Sequence, residues 1–160
     1  MKLSECNMCQ LCNSNWHYSF GKGRKPASVL FVFGRQPTNT NSMSSIEKFT
    51  VTLNKFLEYD WYSTFAIKCC GKGKIKLEHS EKCRKWLLAE FNKVNPFLIV
   101  LMGKTSLATM LGSEYLKLKP NVFYVKNGKR FFVGESIFGD EDKIENNLRT
   151  LINYIHEYYG

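Results

Sequence analysis

Six cysteines spread over the first 83 residues constrain the fold of this chain more than any other feature. They are Cys6, Cys9, Cys12, Cys69, Cys70 and Cys83. Thiolates this far apart in sequence can be gathered by a metal ion or by an iron–sulfur cluster. Such a site would tie the N-terminal segment to the middle of the fold, and the free energy of metal binding would become folding free energy.

The length of 160 residues fits a single domain spanning residues 1–160, and a hydrophobic content of 44% supports a substantial core. The first residues lack the apolar segment of a secretory signal. No apolar run reaches the roughly 18 residues that cross a bilayer. We therefore expect an intracellular, cytoplasmic protein that does not span a membrane. In that compartment, cysteines are more often reduced thiols or metal ligands than disulfides.

The net charge is +9, from 23 lysines and arginines against 14 acidic residues. Such an excess favours a polyanionic partner, and nucleic acid is the commonest one. The alternative is a basic surface with no partner. Residues 71–76 alternate glycine with lysine, which lets the backbone approach phosphates while ammonium groups neutralise them. This loop lacks the Walker spacing, so nucleotide hydrolysis is not indicated.

Buried apolar runs alternate with segments of helical periodicity. The pattern predicts strands at 28–33, 62–68, 97–102, 122–125 and 130–133, and helices at 46–59, 80–92, 104–111 and 140–158. This alternation predicts an α/β fold with helices on both faces of a mostly parallel sheet. Binding sites in such sheets lie beyond the carboxyl ends of the strands.

Five segments, taken in order, carry a family pattern. They are Cys6-Asn-Met-Cys9-Gln-Leu11, Gly34-Arg35-Gln36-Pro37, Thr64-Phe65-Ala-Ile-Lys68-Cys69, Cys83-Arg-Lys-Trp86 and Pro96-Phe-Leu-Ile99-Val100-Leu-Met-Gly103. In order and approximate spacing, the chain resembles the family-4 uracil-DNA glycosylases over nearly its whole length. The resemblance implies a three-layer α/β/α fold around a central, mostly parallel four-stranded sheet. It also implies DNA as the partner and a 4Fe-4S cluster as the cofactor.

By this resemblance, Cys6, Cys9, Cys69 and Cys83 hold the cluster, which leaves Cys12 and Cys70 spare. The spacing of Cys6, Cys9 and Cys12 is also similar to a ferredoxin-type run, so one ligand stays open at either place. Zinc bound by four thiolates is the alternative cofactor, and unligated thiols are a third possibility.

The catalytic positions of the family are not matched. Arg35 stands where the family has an acid, and Phe65 stands where an asparagine reads the edge of the base. Residues 132–138 contain no histidine, although the family carries a His-Pro-Ser motif there. Two functions follow. The first is a DNA-binding protein without normal uracil excision that serves as a replication accessory, a decoy or the binder of a protein partner. The second is a glycosylase with a changed pocket.

Site residues follow partly from the clustering of positive charge, if the cluster brings the basic loops together, and partly from the resemblance. Phosphate contacts are predicted at Arg35, Lys68, Lys72, Lys74 and Lys76, with Lys22, Arg24 and Lys25 on the same face. A base pocket is predicted from Gly34, Gln36, Pro37, Phe65 and Ser136, although Phe65 could instead belong to the core. Ile137 and Phe138 stand where the family places a loop that penetrates DNA, which predicts an apolar wedge.

Glu135 is the carboxylate predicted to support catalysis if the chain is an active glycosylase. A carboxylate near the scissile bond orients water and stabilises an oxocarbenium-like sugar. The alternative role for Glu135 is a loop carboxylate or a helix cap.

Overall fold

The apolar runs of the sequence become the inner strands of an α/β structure. The computed structural model describes residues 21–35, 40–68, 74–136 and 141–159. The strands are β1 Lys22–Gly23, β2 Val29–Arg35, β3 Trp61–Ile67, β4 Leu98–Met102, β5 Val122–Lys126 and β6 Lys129–Gly134. The helices are α1 Thr40–Phe56, α2 Leu77–Val94, α3 Lys104–Leu111 and α4 Glu141–Tyr159, with a 3-10 helix at Ser113–Lys117.

The described strands form one mixed sheet in the order β1-β3-β2-β4-β6-β5. The inner strands β3, β2, β4 and β6 run parallel, whereas β1 and β5 pair antiparallel at the two edges. The prediction of an α/β fold is confirmed. The prediction of a four-stranded sheet is wrong, because six strands pair.

The two edge strands explain the difference in strand number. The first, β1, spans only Lys22–Gly23, which is too short and too polar to give a periodic signal. At the other edge, Asn127 and Gly128 both have positive φ, at 52° and 77°. This two-residue turn returns the chain antiparallel and adds β5 beside β6.

Alternate residues of β2 enter two separate cores, one on each face of the sheet. On one face, the Phe49 ring of α1 packs edge-on against Phe31 and Phe33 at centroid distances of 5.3 and 4.8 Å. On the other face, Leu30 and Leu87 belong to the second core. The first core is covered by α1 and α4, and the second by α2 and α3. A parallel sheet needs both covers, because its connecting helices lie on its faces.

Within the described part of the chain, the helices are all too short or too polar to span a membrane.

Candidate functional site

The carboxyl ends of the four parallel strands lie along one side of the sheet, which we call the carboxyl edge. The strands end there at Arg35, Ile67, Met102 and Gly134. The ends of β4 and β6 are joined because the Gly103 N–H donates to the Gly134 carbonyl at 3.0 Å. Residues that follow these strands are therefore gathered at one edge.

The strand order changes direction between β2 and β4, since β2 leads through α1 to β3 on its other side. A crevice opens at such a switch point. Gly103 is the N-cap of α3 there and has a φ of 100°, a conformation that favours glycine. A Cβ on Gly34 would lie 3.3 Å from the Thr105 Cβ, so the end of β2 packs closely against α3.

Exposed cations border the carboxyl edge. Lys74 and Lys76 are exposed just before α2, Lys104 is exposed at the first residue of α3, and Arg35 is half-buried at the end of β2. The Lys76 backbone is fixed because its N–H donates to His79 Nδ1 at 3.0 Å. The Lys76 ammonium group therefore extends from an ordered backbone at the start of a helix.

Lys22, Arg24 and Lys25 do not lie at the carboxyl edge, although they were predicted to share a face with Lys74 and Lys76. β1 pairs Lys22 with Ser63 and Gly23 with Tyr62, so the chain runs toward the amino end of β3. Arg24 reaches Asp60 at 3.5 Å, just before β3 begins. Arg24 is therefore separated from Lys74 and Lys76, which follow the carboxyl end of β3.

Lys68 lies in a buried polar network. Its side chain is 2% exposed, forms an ion pair with Glu90, and donates to Thr64 Oγ1 at 2.7 Å. Thr64 Oγ1 and the Tyr62 hydroxyl each donate to Glu90, at 2.9 Å to Oε2. Two donors from β3, together with Lys68 directly after it, therefore converge on one carboxylate of α2.

Burial shifts two protonation equilibria in this network. It lowers the pKa of the Lys68 ammonium, while the Glu90 carboxylate acts in the opposite direction. Burial also raises the pKa of Tyr62, and the negative charge of Glu90 raises it further. Lys68 is therefore a partner of Glu90 within the fold. It does not occupy the surface position predicted for a phosphate contact.

Cys83 is the one proposed cluster ligand among the described residues. It lies in α2, is 5% exposed, and acts electrostatically on Lys68. Because Lys68 immediately precedes Cys69 in sequence, the end of β3 brings the chain toward Cys83. A buried sulfur in α2 is compatible with a ligand to a metal site inside the fold, where the thiolate is the ligating form.

His79 was not predicted as part of this site. It lies one helical turn before Cys83, and its side chain is 3% exposed. Its Nε2 has no hydrogen-bond partner among the described residues, and Glu78 Oε1 is 3.7 Å away. No group of three or more potential metal ligands forms within the described ranges.

Several predicted residues lie outside the described residues. They are Cys6, Cys9, Gln36, Pro37, Cys69, Lys72, Ile137 and Phe138, together with the spare cysteines Cys12 and Cys70. The ligand set and the apolar wedge therefore stay predictions.

The structure describes three of the five residues that were predicted to form a base pocket. Phe65 is 8% exposed and packs against Phe33, with ring centroids 5.5 Å apart, so it is part of the core. Gly34 packs against α3, as described above. Ser136 lies beside Gly103, which directly precedes α3, and a Cβ on Gly103 would be 3.6 Å from the Ser136 Cβ.

Glu135 and Ser136 line a cavity of about 390 Å³ between β6 and α4. Phe132 and Leu151 contribute apolar surface to it, and Asn147 contributes an amide. Sequence reasoning found Glu135 but missed the cavity, because α4 is remote in sequence. Comparison of the sequence with protein-family models and with curated proteins gives no match.

The Lys68–Glu90 pair generates a stability prediction. Glu90→Leu leaves the buried ammonium without its carboxylate, so we expect a loss of about 3–5 kcal/mol in the free energy of unfolding. In Lys68→Met/Glu90→Leu both charges are replaced by apolar groups, and we expect most of that loss to be recovered. Urea denaturation of the single and double variants measures the coupling free energy.

Lys85→Met is the matched control, because Lys85 is exposed on the same helix. It should change stability by less than about 0.5 kcal/mol. Strictly additive effects of Lys68→Met and Glu90→Leu would contradict the coupling.

Proposed function

We propose that this protein is a divergent iron–sulfur, uracil-DNA-glycosylase-like protein that binds DNA and lacks normal uracil-excision activity. The observation that carries the proposal is the set of cations at the carboxyl edge. Lys74, Lys76 and Lys104 are exposed there, and Arg35 is half-buried beside them. They border the place where α/β sheets bind ligands.

The electrostatics support a polyanion as the ligand. The chain carries a net charge of +9, and phosphate contacts by lysines release counterions from DNA. Lys74 belongs to the Gly-Lys segment, and Lys104 begins α3. The amino end of a helix favours negative charge, which adds to the attraction of the Lys104 ammonium for phosphate.

The arrangement of strands supports the family resemblance. The inner four strands run parallel, and helices cover both faces of the sheet. The segments that carry the resemblance follow three of those strands. Gly34 and Arg35 are the last two residues of β2, Lys68 follows β3, and Gly103 follows β4.

The position of Cys83 supports a thiolate site. In the proposal, Cys6, Cys9, Cys69 and Cys83 hold a 4Fe-4S cluster, with four-thiolate zinc as the alternative. The cluster would supply a covalent tie between the N-terminal segment, the end of β3 and α2. Such a tie would set the position of the loop that carries Lys72 and Lys74.

Two residues and one segment argue against the family's chemistry. Arg35 cannot supply the carboxylate expected at the end of β2. Phe65 packs against Phe33 and offers no amide to a base. Residues 131–136, at the end of β6, contain no histidine. These losses support binding without normal uracil excision.

A glycosylase with a changed pocket is the second candidate. The exposed carboxylate of Glu135 favours it, because Glu135 lies beyond β6 and lines the cavity beside α4. A carboxylate in that position could orient water or stabilise a cationic sugar.

DNA binding should weaken steeply as salt concentration rises. Lys74→Ala/Lys76→Ala should lower affinity for all sequences alike and reduce the salt slope by about 2 for duplex DNA, since two phosphate contacts are lost. Fluorescence anisotropy with labelled oligonucleotides at several salt concentrations measures both quantities.

Lys55→Ala/Lys93→Ala is the matched control. Both lysines are exposed in the last turns of α1 and α2, and these helices end near the amino ends of the parallel strands, away from the carboxyl edge. Its slope should equal that of the wild type. An unchanged slope in Lys74→Ala/Lys76→Ala would remove these lysines from the interface.

Protein purified without oxygen should be brown, with broad absorbance near ~400 nm from thiolate-to-iron charge transfer. Cys83→Ser should lose this absorbance and should unfold at lower denaturant concentration, because metal binding contributes to folding. Under the ligand set that the resemblance implies, Cys12→Ser and Cys70→Ser should both keep the absorbance, and its loss in either variant would place that cysteine in the ligand set. If the protein is colourless and carries stoichiometric zinc, the cluster assignment is wrong and zinc is the bound metal.

Uracil release from DNA should be close to background. Loss of one preorganised electrostatic group typically costs ~100- to 1000-fold in rate, and several such groups are absent here. Single-turnover assays on uracil-containing single-stranded and duplex oligonucleotides measure the rate. Efficient uracil release by the wild type that is abolished in Glu135→Gln would contradict the hypothesis of a protein without normal uracil excision. It would establish the glycosylase with a changed pocket.

A further inference from the structure

The cavity between β6 and α4 has an apolar floor and a polar rim. Met102, Phe132 and Leu151 contribute buried apolar side chains to it. Asn121, Glu135, Asn147 and Tyr154 line it with exposed polar groups. Its volume of about 390 Å³ lies within the range of about 300–1,000 Å³ that small-ligand sites occupy.

One face of α4 contributes to both the floor and the rim of this cavity. Asn147, Leu151 and Tyr154 are spaced at i, i+4 and i+7, so they share one face of the helix. Asn121 enters from the chain before β5, where its N–H donates to the Val133 carbonyl at 2.6 Å. Groups from β4, β6, α4 and the segment before β5 therefore surround the same space.

The charge of the lining selects the class of ligand. Among the described residues that line the cavity, Glu135 alone carries a charge, although the protein as a whole is strongly basic. Among these described lining residues, a phosphate would meet a carboxylate and no cation. A ligand that donates hydrogen bonds fits better, because an ionised carboxylate only accepts them.

The amides and the aromatic ring narrow the class further. Asn121 and Asn147 each offer one acceptor and two donors, which match the mixed edge of a heterocycle. Tyr154 is 49% exposed and offers a ring beside the apolar floor. Flipped nucleobases are held in this way, between apolar or aromatic side chains and polar groups that read their edges.

We propose that this cavity binds a nucleobase that carries an exocyclic amino group, such as cytosine or adenine. Glu135 accepts from the amino group, as carboxylates accept from cytosine N4. Asn147 reads the neighbouring edge, and the base lies against Phe132 and Leu151. The inference rests on the proposed function only for the source of the base, which would be DNA held at the carboxyl edge.

Free nucleosides test the cavity without DNA. Cytidine and adenosine should shift the amide resonances of residues lining the cavity in NMR titrations, and uridine and thymidine should bind at least about 10-fold more weakly. Glu135→Gln should weaken cytidine binding about 10-fold and should not weaken uridine binding, because uridine presents an acceptor carbonyl where cytidine has its amino group. Glu157→Gln, which removes the same charge from an exposed position of α4, should change neither.

A second variant tests the location. Thr150 lines the cavity and is exposed, so Thr150→Trp should fill the mouth and abolish nucleoside binding without disturbing the core. Thr150→Val is its control and should bind as the wild type does. Equal binding of all four nucleosides, binding that survives Thr150→Trp, or no binding at millimolar concentration would each overturn the inference.

The two proposals fail separately. Oligonucleotides with cytosine or thymine at one central position should differ in affinity in the wild type and not in Thr150→Trp. If nucleosides bind but DNA does not, the nucleobase cavity is supported and the proposed DNA interface is contradicted. If DNA binds with the predicted salt dependence but nucleosides do not, the DNA interface is supported and the nucleobase cavity is contradicted.

Discussion

The parallel pairing of β2 with both β3 and β4 is the constraint on which the rest of the structure depends. A strand paired on both sides in parallel needs helical connections over the faces of the sheet. Here α1 covers one face and α2 the other, and both faces of β2 are buried. Parallel pairing also places the ends of β2, β3, β4 and β6 at one edge. The candidate site therefore follows from the direction of the strands before any particular side chain is considered.

The same edge separates two kinds of lysine. Lys68 is drawn into the fold, where Thr64 and Glu90 satisfy its ammonium group. Lys74 and Lys76, only a few residues later, are exposed. A buried ammonium needs a carboxylate and further hydrogen bonds to offset its desolvation, whereas an exposed one stays available to phosphate. Lys68 therefore supports the end of β3 beside Cys83, and the exposed lysines provide the charge that the proposed DNA interface requires.

Charge is also divided between the carboxyl edge and the cavity beyond β6. Cations border the edge near α2 and α3, while the cavity beside α4 has Glu135 as its charged group among the described lining residues. Phosphates and an amino-bearing base have opposite electrostatic requirements. A protein that holds the backbone of DNA and one of its bases would need both environments next to each other. The distribution of charge in this fold provides them.

Sequence alone determined the α/β class and the positions of the inner strands and main helices. The runs at 28–33 and 97–102 are continuously apolar, and buried parallel strands have that property whatever surrounds them. It also placed Arg35, Lys68 and Glu135 at or near the ends of strands, because strand ends are local features. Tertiary structure alone decided what those residues face. Lys68 is buried because its ammonium group, just after β3, pairs with the carboxylate of Glu90 in α2, 22 residues away in sequence. Phe65 is core because Phe33 lies on the neighbouring strand. The cavity exists because α4 returns over β6. Contacts between residues distant in the chain leave no periodic signal in the sequence, so only the folded chain shows them.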